Sequence, residues 1–164
     1  MEKQLAELPA KAKEFEGVHR KFFKTLKHKP PKYLDTLMAQ LHDATFKTTD
    51  CLQCANCCKT TGPLFTDKDI TRISKHLRLK PSVFIAKYLR VDEDQDYVLQ
   101  ELPCSFLDTD NYCLIYEVRP KACREYPHTN QRNFHKITSI TQKNLAICPA
   151  AFEIVEALRA RLTN

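Results

Sequence analysis

The chain has 164 residues, 43% of them apolar, which is enough for one compact domain with a real core and too few to favour two. No apolar run approaches the roughly 18 residues of a transmembrane helix, so no membrane partner is expected. The formal charge of +6 counts every cysteine as neutral; if eight thiolates hold two dipositive centres, about +2 remains, and a nucleic-acid partner is not expected.

Met1-Glu2-Lys3-Gln4-Leu5 is charged and amphipathic and lacks the apolar centre of a secretory signal, so export is not expected. From Ala10 to about His28, Phe15, Val18, Phe22, Phe23 and Leu26 recur at three- and four-residue steps, the stripe of an amphipathic helix. Leu5 and Leu8 extend the stripe backwards, and Pro9 marks a start or a kink. The lysines between them read as a solvated face because Glu14 and Glu16 interrupt the run. Pro30-Pro31 ends this element, and a second helix from Lys32 to about Phe46 carries Leu34, Leu37, Met38 and Leu41 on one side, so residues 1–50 are expected to form a helical hairpin.

Thr66-x-x-Asp69 reads as a helix start, with Ile70, Ile73 and Leu77 on the buried face. Pro81 opens another helix through about Leu89, with Val83, Phe84, Tyr88 and Leu89 facing inward. Asp92 to Asp96 lacks the glycine and the spaced glutamate of a calcium loop and reads as solvated. Tyr97-Val98-Leu99 and Leu114-Ile115-Tyr116 are compatible with short strands. Pro149 starts a last helix to Leu162, with Phe152, Val155, Leu158 and Leu162 buried against the N-terminal helices. The expected fold is mainly α: a single domain over 1–164, in which helices at 1–50 and 149–164 surround an irregular, metal-stapled cysteine-rich region at 51–148 with at most short strands.

That region begins with Cys51-Leu52-Gln53-Cys54-Ala55-Asn56-Cys57-Cys58, four of the chain's eight cysteines in eight residues. A Cys-x-x-Cys step lets two thiolates converge on one metal across a tight turn, and a second step brings a third sulfur to the same side. Buried apolar cysteines and disulfides are the alternatives; four cysteines in one turn fit neither well, and without export a reducing cytoplasm favours thiolate ligands. Cys104, Cys113, Cys123 and Cys148 follow singly at turns and element ends, where backbone amides can donate to sulfur. Successive side chains at Cys57 and Cys58 are expected to diverge, which suggests either two nearby centres or a bridging role.

The ordered set Cys-x-x-Cys-x-x-Cys-Cys, Pro103-Cys104-Ser105-Phe106-Leu107, Cys113-Leu114-Ile115-Tyr116, Arg119-Pro120-x-x-Cys123-Arg124-x-Tyr126-Pro127 and Cys148 resembles the YkgJ-type cysteine-cluster family, the CxxCxxCC zinc- or iron-chelating domain, over about residues 51–148. The resemblance implies metal chelation by all eight cysteines, and the domain is also similar to one in flagellin lysine N-methylases. It implies no particular activity.

Iron-sulfur is the favoured cofactor, in one or two 4Fe-4S clusters, because Cys51, Cys54 and Cys57 with the remote Cys148-Pro149 echo a cluster-binding pattern and the widely spaced singles suit a large cluster. Zinc is the alternative. Arg119 and Arg124 flank Cys123 and are candidate cofactor-binding groups, with salt bridges to Glu117 or Glu125 as the plainer reading. His19, His28, His42, His76, His128 and His135 lack ligand spacing, and only His128 lies near a cysteine motif. The expected function is a redox or metal-handling module whose partners are metal ions or clusters, with a protein partner also open. A zinc-stapled interaction domain and an accessory or catalytic role in methyl transfer are the alternatives, although two glycines leave no Gly-rich loop for a nucleotide-like cofactor.

Overall fold

The computed structural model describes residues 2–163. In chain order these form α1 (Glu2–His28), α2 (Leu34–Phe46), α3 (Cys51–Cys54), α4 (Asn56–Thr60), β1 (Leu64–Phe65), α5 (Asp67–His76), α6 (Pro81–Tyr88), β2 (Leu89–Val91), β3 (Tyr97–Leu99), α7 (Lys121–Glu125), α8 (Thr138–Asn144) and α9 (Pro149–Thr163). Single 3-10 turns stand at Tyr116–Val118 and Phe134–Lys136. The fold is mainly α, as the apolar spacing predicts. The elements sort into two compact units, one of Met1–Asp50 with Pro127–Asn164 and one of Cys51–Tyr126.

In the first unit α1 runs through Pro9 without ending there. The missing proline N–H forgoes one backbone bond, while Leu8 just before it is buried in the core and holds the helix down. The buried stripe follows Leu8, Ala12, Phe15, His19, Phe23 and Leu26. Val18, expected inside, is 46% exposed, and the buried place belongs to its neighbour His19, a polar residue that hid the true register. His19 lies among the rings of Phe15, Phe23 and Phe152, and its Nε2 is 2.8 Å from Glu156 Oε1 on α9.

α2 packs chiefly on α9, and α1 packs on α8 and α9 alike, so the hairpin expected over 1–50 is closed through the C-terminal helices. Phe152, Ile154, Val155 and Leu158 enter one core with Leu34, Leu37 and Met38 of α2. The Asp35 carboxylate accepts the backbone N–H groups of Asn133 and Phe134 at 2.7 and 3.0 Å, which fixes Phe134, also fully buried, in the same core. Because Leu158 is 0% exposed, truncating it leaves a cavity that the surrounding helices cannot refill. Leu158→Ala is expected to destabilise this unit by about 2–5 kcal/mol in urea unfolding followed by circular dichroism; a loss below about 1 kcal/mol would contradict this packing.

The second unit is organised by α5. The Thr66 hydroxyl accepts the Asp69 N–H at 3.2 Å, and the Asp69 carboxylate in return accepts the Thr66 N–H at 3.0 Å, a reciprocal cap that starts the helix. Ile70 and Ile73 then point into a core with Phe65, Phe84, Leu89, Leu99, Phe106 and Ile115. Pro81 opens α6 as predicted, but the helix ends at Tyr88 and Leu89 begins β2. Phe84 and Tyr88 share a face four residues apart; Val83, expected inward, is turned away from it and 46% exposed.

The sheet is antiparallel in the order β1-β3-β2, with Phe65 and Val91 both opposite Tyr97. Asp92 Oδ1 accepts the N–H groups of Asp94 and Asp96, so the acidic segment is the turn between β2 and β3. Tyr97–Leu99 is a strand as expected, whereas Leu114-Ile115-Tyr116 is not. Only Ile115 of that run needs burying, at 2% exposure against 56% for Leu114, and a turn passing into the 3-10 helix achieves this without a partner strand.

Candidate metal centre

The Cys51–Cys58 segment folds as two short helical turns, α3 and α4, joined at Ala55. Ala55 is buried and adopts a left-handed backbone (φ 47°), a conformation that costs a non-glycine residue roughly 1–2 kcal/mol and separates α3 from α4 within the second Cys-x-x-Cys step. Cys57 and Cys58 then lie on α4. Adjacent residues differ by 180° on a strand but by only about 100° on a helix, and on α4 the Cys57 thiol is close enough to lower that of Cys58 by hydrogen bonding.

The knot is tied to the later cysteines through the backbone. The Cys104 N–H donates to the Cys58 carbonyl at 2.8 Å, and Cys113 pairs with Leu107 in an isolated bridge. The N–H groups of Phe106 and Leu107 donate to the Cys104 sulfur, and that of Ile115 to the Cys113 sulfur. Such donors stabilise thiolate and leave sulfur lone pairs free for a metal. Cys123 is carried on α7.

Electrostatics identifies which sulfurs are neighbours. Burial pushes the Cys104 thiol up to about 11 and the Cys123 thiol up to about 12, and it raises Cys113 as well. The charge of Cys58 contributes to all three shifts, Cys113 contributes to those of Cys104 and Cys123, and Cys104 contributes to that of Cys123. Cys58 itself is lowered to about 7 by the Cys57 thiol, against its own burial, with help from Lys59. The four sulfurs of Cys58, Cys104, Cys113 and Cys123 therefore form one electrostatically coupled group inside the second unit. A partly desolvated set of thiols that oppose one another's ionisation is a donor set that a cation relieves, and it fits a metal by its chemistry. Among the described residues, no group of three or more His, Cys, Asp or Glu side chains is placed so that it could hold a metal ion as it stands.

Cys51 is exposed and Cys54 half-buried on α3. Cys148 belongs to the first unit, at the start of α9, where it accepts the Ala151 N–H at 3.4 Å on sulfur. The Arg119 guanidinium lies 3.8 Å from the centroid of the Tyr116 ring and donates to the Tyr116 carbonyl at 2.6 Å; its charge lowers the Cys113 and Cys123 thiols. Arg124 donates to the Arg119 carbonyl at 2.7 Å, a structural contact.

Two residues beside the group escaped the sequence reading. Asp69, read only as a helix cap, is 1% exposed and accepts from Arg72 Nη2 at 2.6 Å and from the Lys121 N–H at 3.1 Å as well as from Thr66. Burial alone would raise its carboxyl, but these hydrogen bonds hold it below the usual carboxylate range. Arg72 also donates to the Val118 and Arg119 carbonyls at 3.2 and 2.8 Å. The Asp69-x-x-Arg72 spacing, three residues along one helix face, was the signal available for this pair.

No solved structure matches the chain. The family model "CxxCxxCC: Putative zinc- or iron-chelating domain" matches residues 50–144, more than half of the chain and all but one of its cysteines. On that match, and on the thiol group just described, the chain belongs to the CxxCxxCC family of zinc- or iron-chelating domains and is a metal-binding protein.

Proposed function

We propose that the protein holds an iron-sulfur cluster on the thiolates of Cys58, Cys104, Cys113 and Cys123, and works as a redox or metal-handling module in a reducing cytoplasm. The observation that carries this reading is the mutual electrostatic coupling of those four sulfurs within one unit. Cys51, Cys54 and Cys57 are the further ligand candidates of the knot, and Cys148 is a ligand candidate on its sequence pattern. Arg119 supplies a positive neighbour to the Cys113 and Cys123 sulfurs, as an anionic cluster requires. The preference for iron-sulfur over zinc rests on ligands that are single and widely spaced in sequence rather than paired in knuckles.

Anaerobic purification with metal analysis, sulfide analysis and an absorption spectrum tests the reading. Brown protein with about four irons and matching acid-labile sulfide per cluster is expected. Colourless protein with stoichiometric zinc would keep the thiolate site and reject the cluster.

A further inference from the structure

The link between Cys113 and Cys123 is held from outside itself. Val118, Arg119 and Pro120 enter α7, whose first residue is Lys121, and α7 has no cap from the side chain of its own N-cap residue, Pro120. Asp69 supplies that cap across the unit, with Oδ1 accepting the Lys121 N–H at 3.1 Å. Starting its own helix occupies only Oδ2 of this carboxylate, through the Thr66 N–H and hydroxyl, so Oδ1 is left for the distant segment and for Arg72. Arg72 completes the hold by donating to two successive carbonyls, Val118 and Arg119. The Arg119 carbonyl accepts a second bond from Arg124, so the main chain just before Cys123 is restrained on both sides.

We propose that the Asp69 and Arg72 pair is a positioning clamp for the metal centre: it sets Cys123, and Arg119 with it, against Cys58, Cys104 and Cys113. The proposal rests on the metal-binding reading above and adds residues that touch no metal. A buried carboxylate paired with a half-buried guanidinium that holds two carbonyls has a fixed geometry, which is what a ligand on a five-residue helix without its own cap requires. An amide at position 69 cannot accept on both sides, and a lysine at position 72 offers a single nitrogen in place of the separate Nε and Nη2 donors that reach Val118 and Arg119.

Thiol mapping on the full chain, loaded with the metal it carries as purified, tests the clamp. A brief pulse of iodoacetamide followed by peptide mass spectrometry reports which cysteines the metal protects. In the wild type, Cys58, Cys104, Cys113 and Cys123 are expected to be protected. In Asp69→Asn, alkylation of Cys123 is expected to rise about tenfold or more while Cys58 and Cys104 stay protected, and metal affinity in chelator competition is expected to fall about 10- to 100-fold. Arg72→Lys keeps the charge and is expected to show the same selective exposure of Cys123; if Asp69→Asn proves insoluble, this variant decides. Thr71→Ala, on the same helix, is expected to leave the pattern unchanged. Cys123 as protected in both clamp variants as in the wild type, or all four cysteines losing protection at one rate, would overturn the clamp and leave the metal reading intact. A wild type whose four cysteines gain no protection on loading overturns both.

Discussion

Removing the metal is expected to unfold the Cys51–Tyr126 unit while the α1, α2 and α9 core stays folded. The second unit has a modest apolar core, eight buried side chains around Phe84, and its cysteine segments are short turns with few backbone bonds of their own. A unit of that size seldom stabilises itself by burial alone and relies on a metal or other staple. Thiols that burial has pushed up to about 11 and about 12 add nothing as ligands until a cation ionises them, so the binding free energy, on the order of 10 kcal/mol for a thiolate site, is largely folding free energy. Hydrogen exchange on the full chain, with and without a chelator, measures this: amides of α5, α6 and β3 are expected to lose protection by several orders of magnitude, and those of α9 to keep it. Equal protection of α5 and α6 in the stripped protein would defeat the expectation.

The pH dependence has a definite sign. Cys104, Cys113 and Cys123 are protonated at neutral pH in the free protein, and Cys58, at about 7, is half so. Uptake at neutral pH therefore releases between three and four protons, and apparent affinity falls as pH is lowered, by about a thousandfold from pH 8 to pH 7. A flat affinity over that unit would mean that these thiols are not the ligands.

The second large effect separates two adjacent cysteines. Cys58→Ser is expected to abolish binding at the centre shared with Cys104, Cys113 and Cys123, because its charge is the one felt at all three of the other sulfurs. A serine hydroxyl stays protonated where a thiol would ionise, so the loss is that of a whole ligand. Cys57→Ser is expected to leave this centre in place, because the serine hydroxyl can still donate to Cys58 where the Cys57 thiol did. Metal content and absorption spectra of the two variants, measured side by side, check this. Loss of the same centre in both would show that the pair acts on one metal together.

The comparison of these two residues also shows where reading the chain stops. Their adjacency suggested divergence, and only the short helix α4 sets them about 100° apart instead of a strand's 180°, close enough for the Cys57 thiol to lower that of Cys58. His19 shows the same limit in the first unit: a polar residue at a core position breaks an apolar count, so Val18 was given a place that it does not hold. β2, whose first residue Leu89 was expected to end α6, exists because β3 pairs with it, an event that a three-residue run does not encode.

By itself the sequence determined the helical class, the helices opened by Thr66, Pro81 and Pro149, the Cys-x-x-Cys steps and the eight thiols, because caps, periodicity and ligand spacing are local. Tertiary structure alone decided which thiols are neighbours and what holds them. The charge of Cys58 is felt at Cys104, Cys113 and Cys123, and Asp69 reaches Lys121, because folding brings distant segments near one another, and the electrostatic coupling of buried groups depends on distance in space and on lost water rather than on separation along the chain.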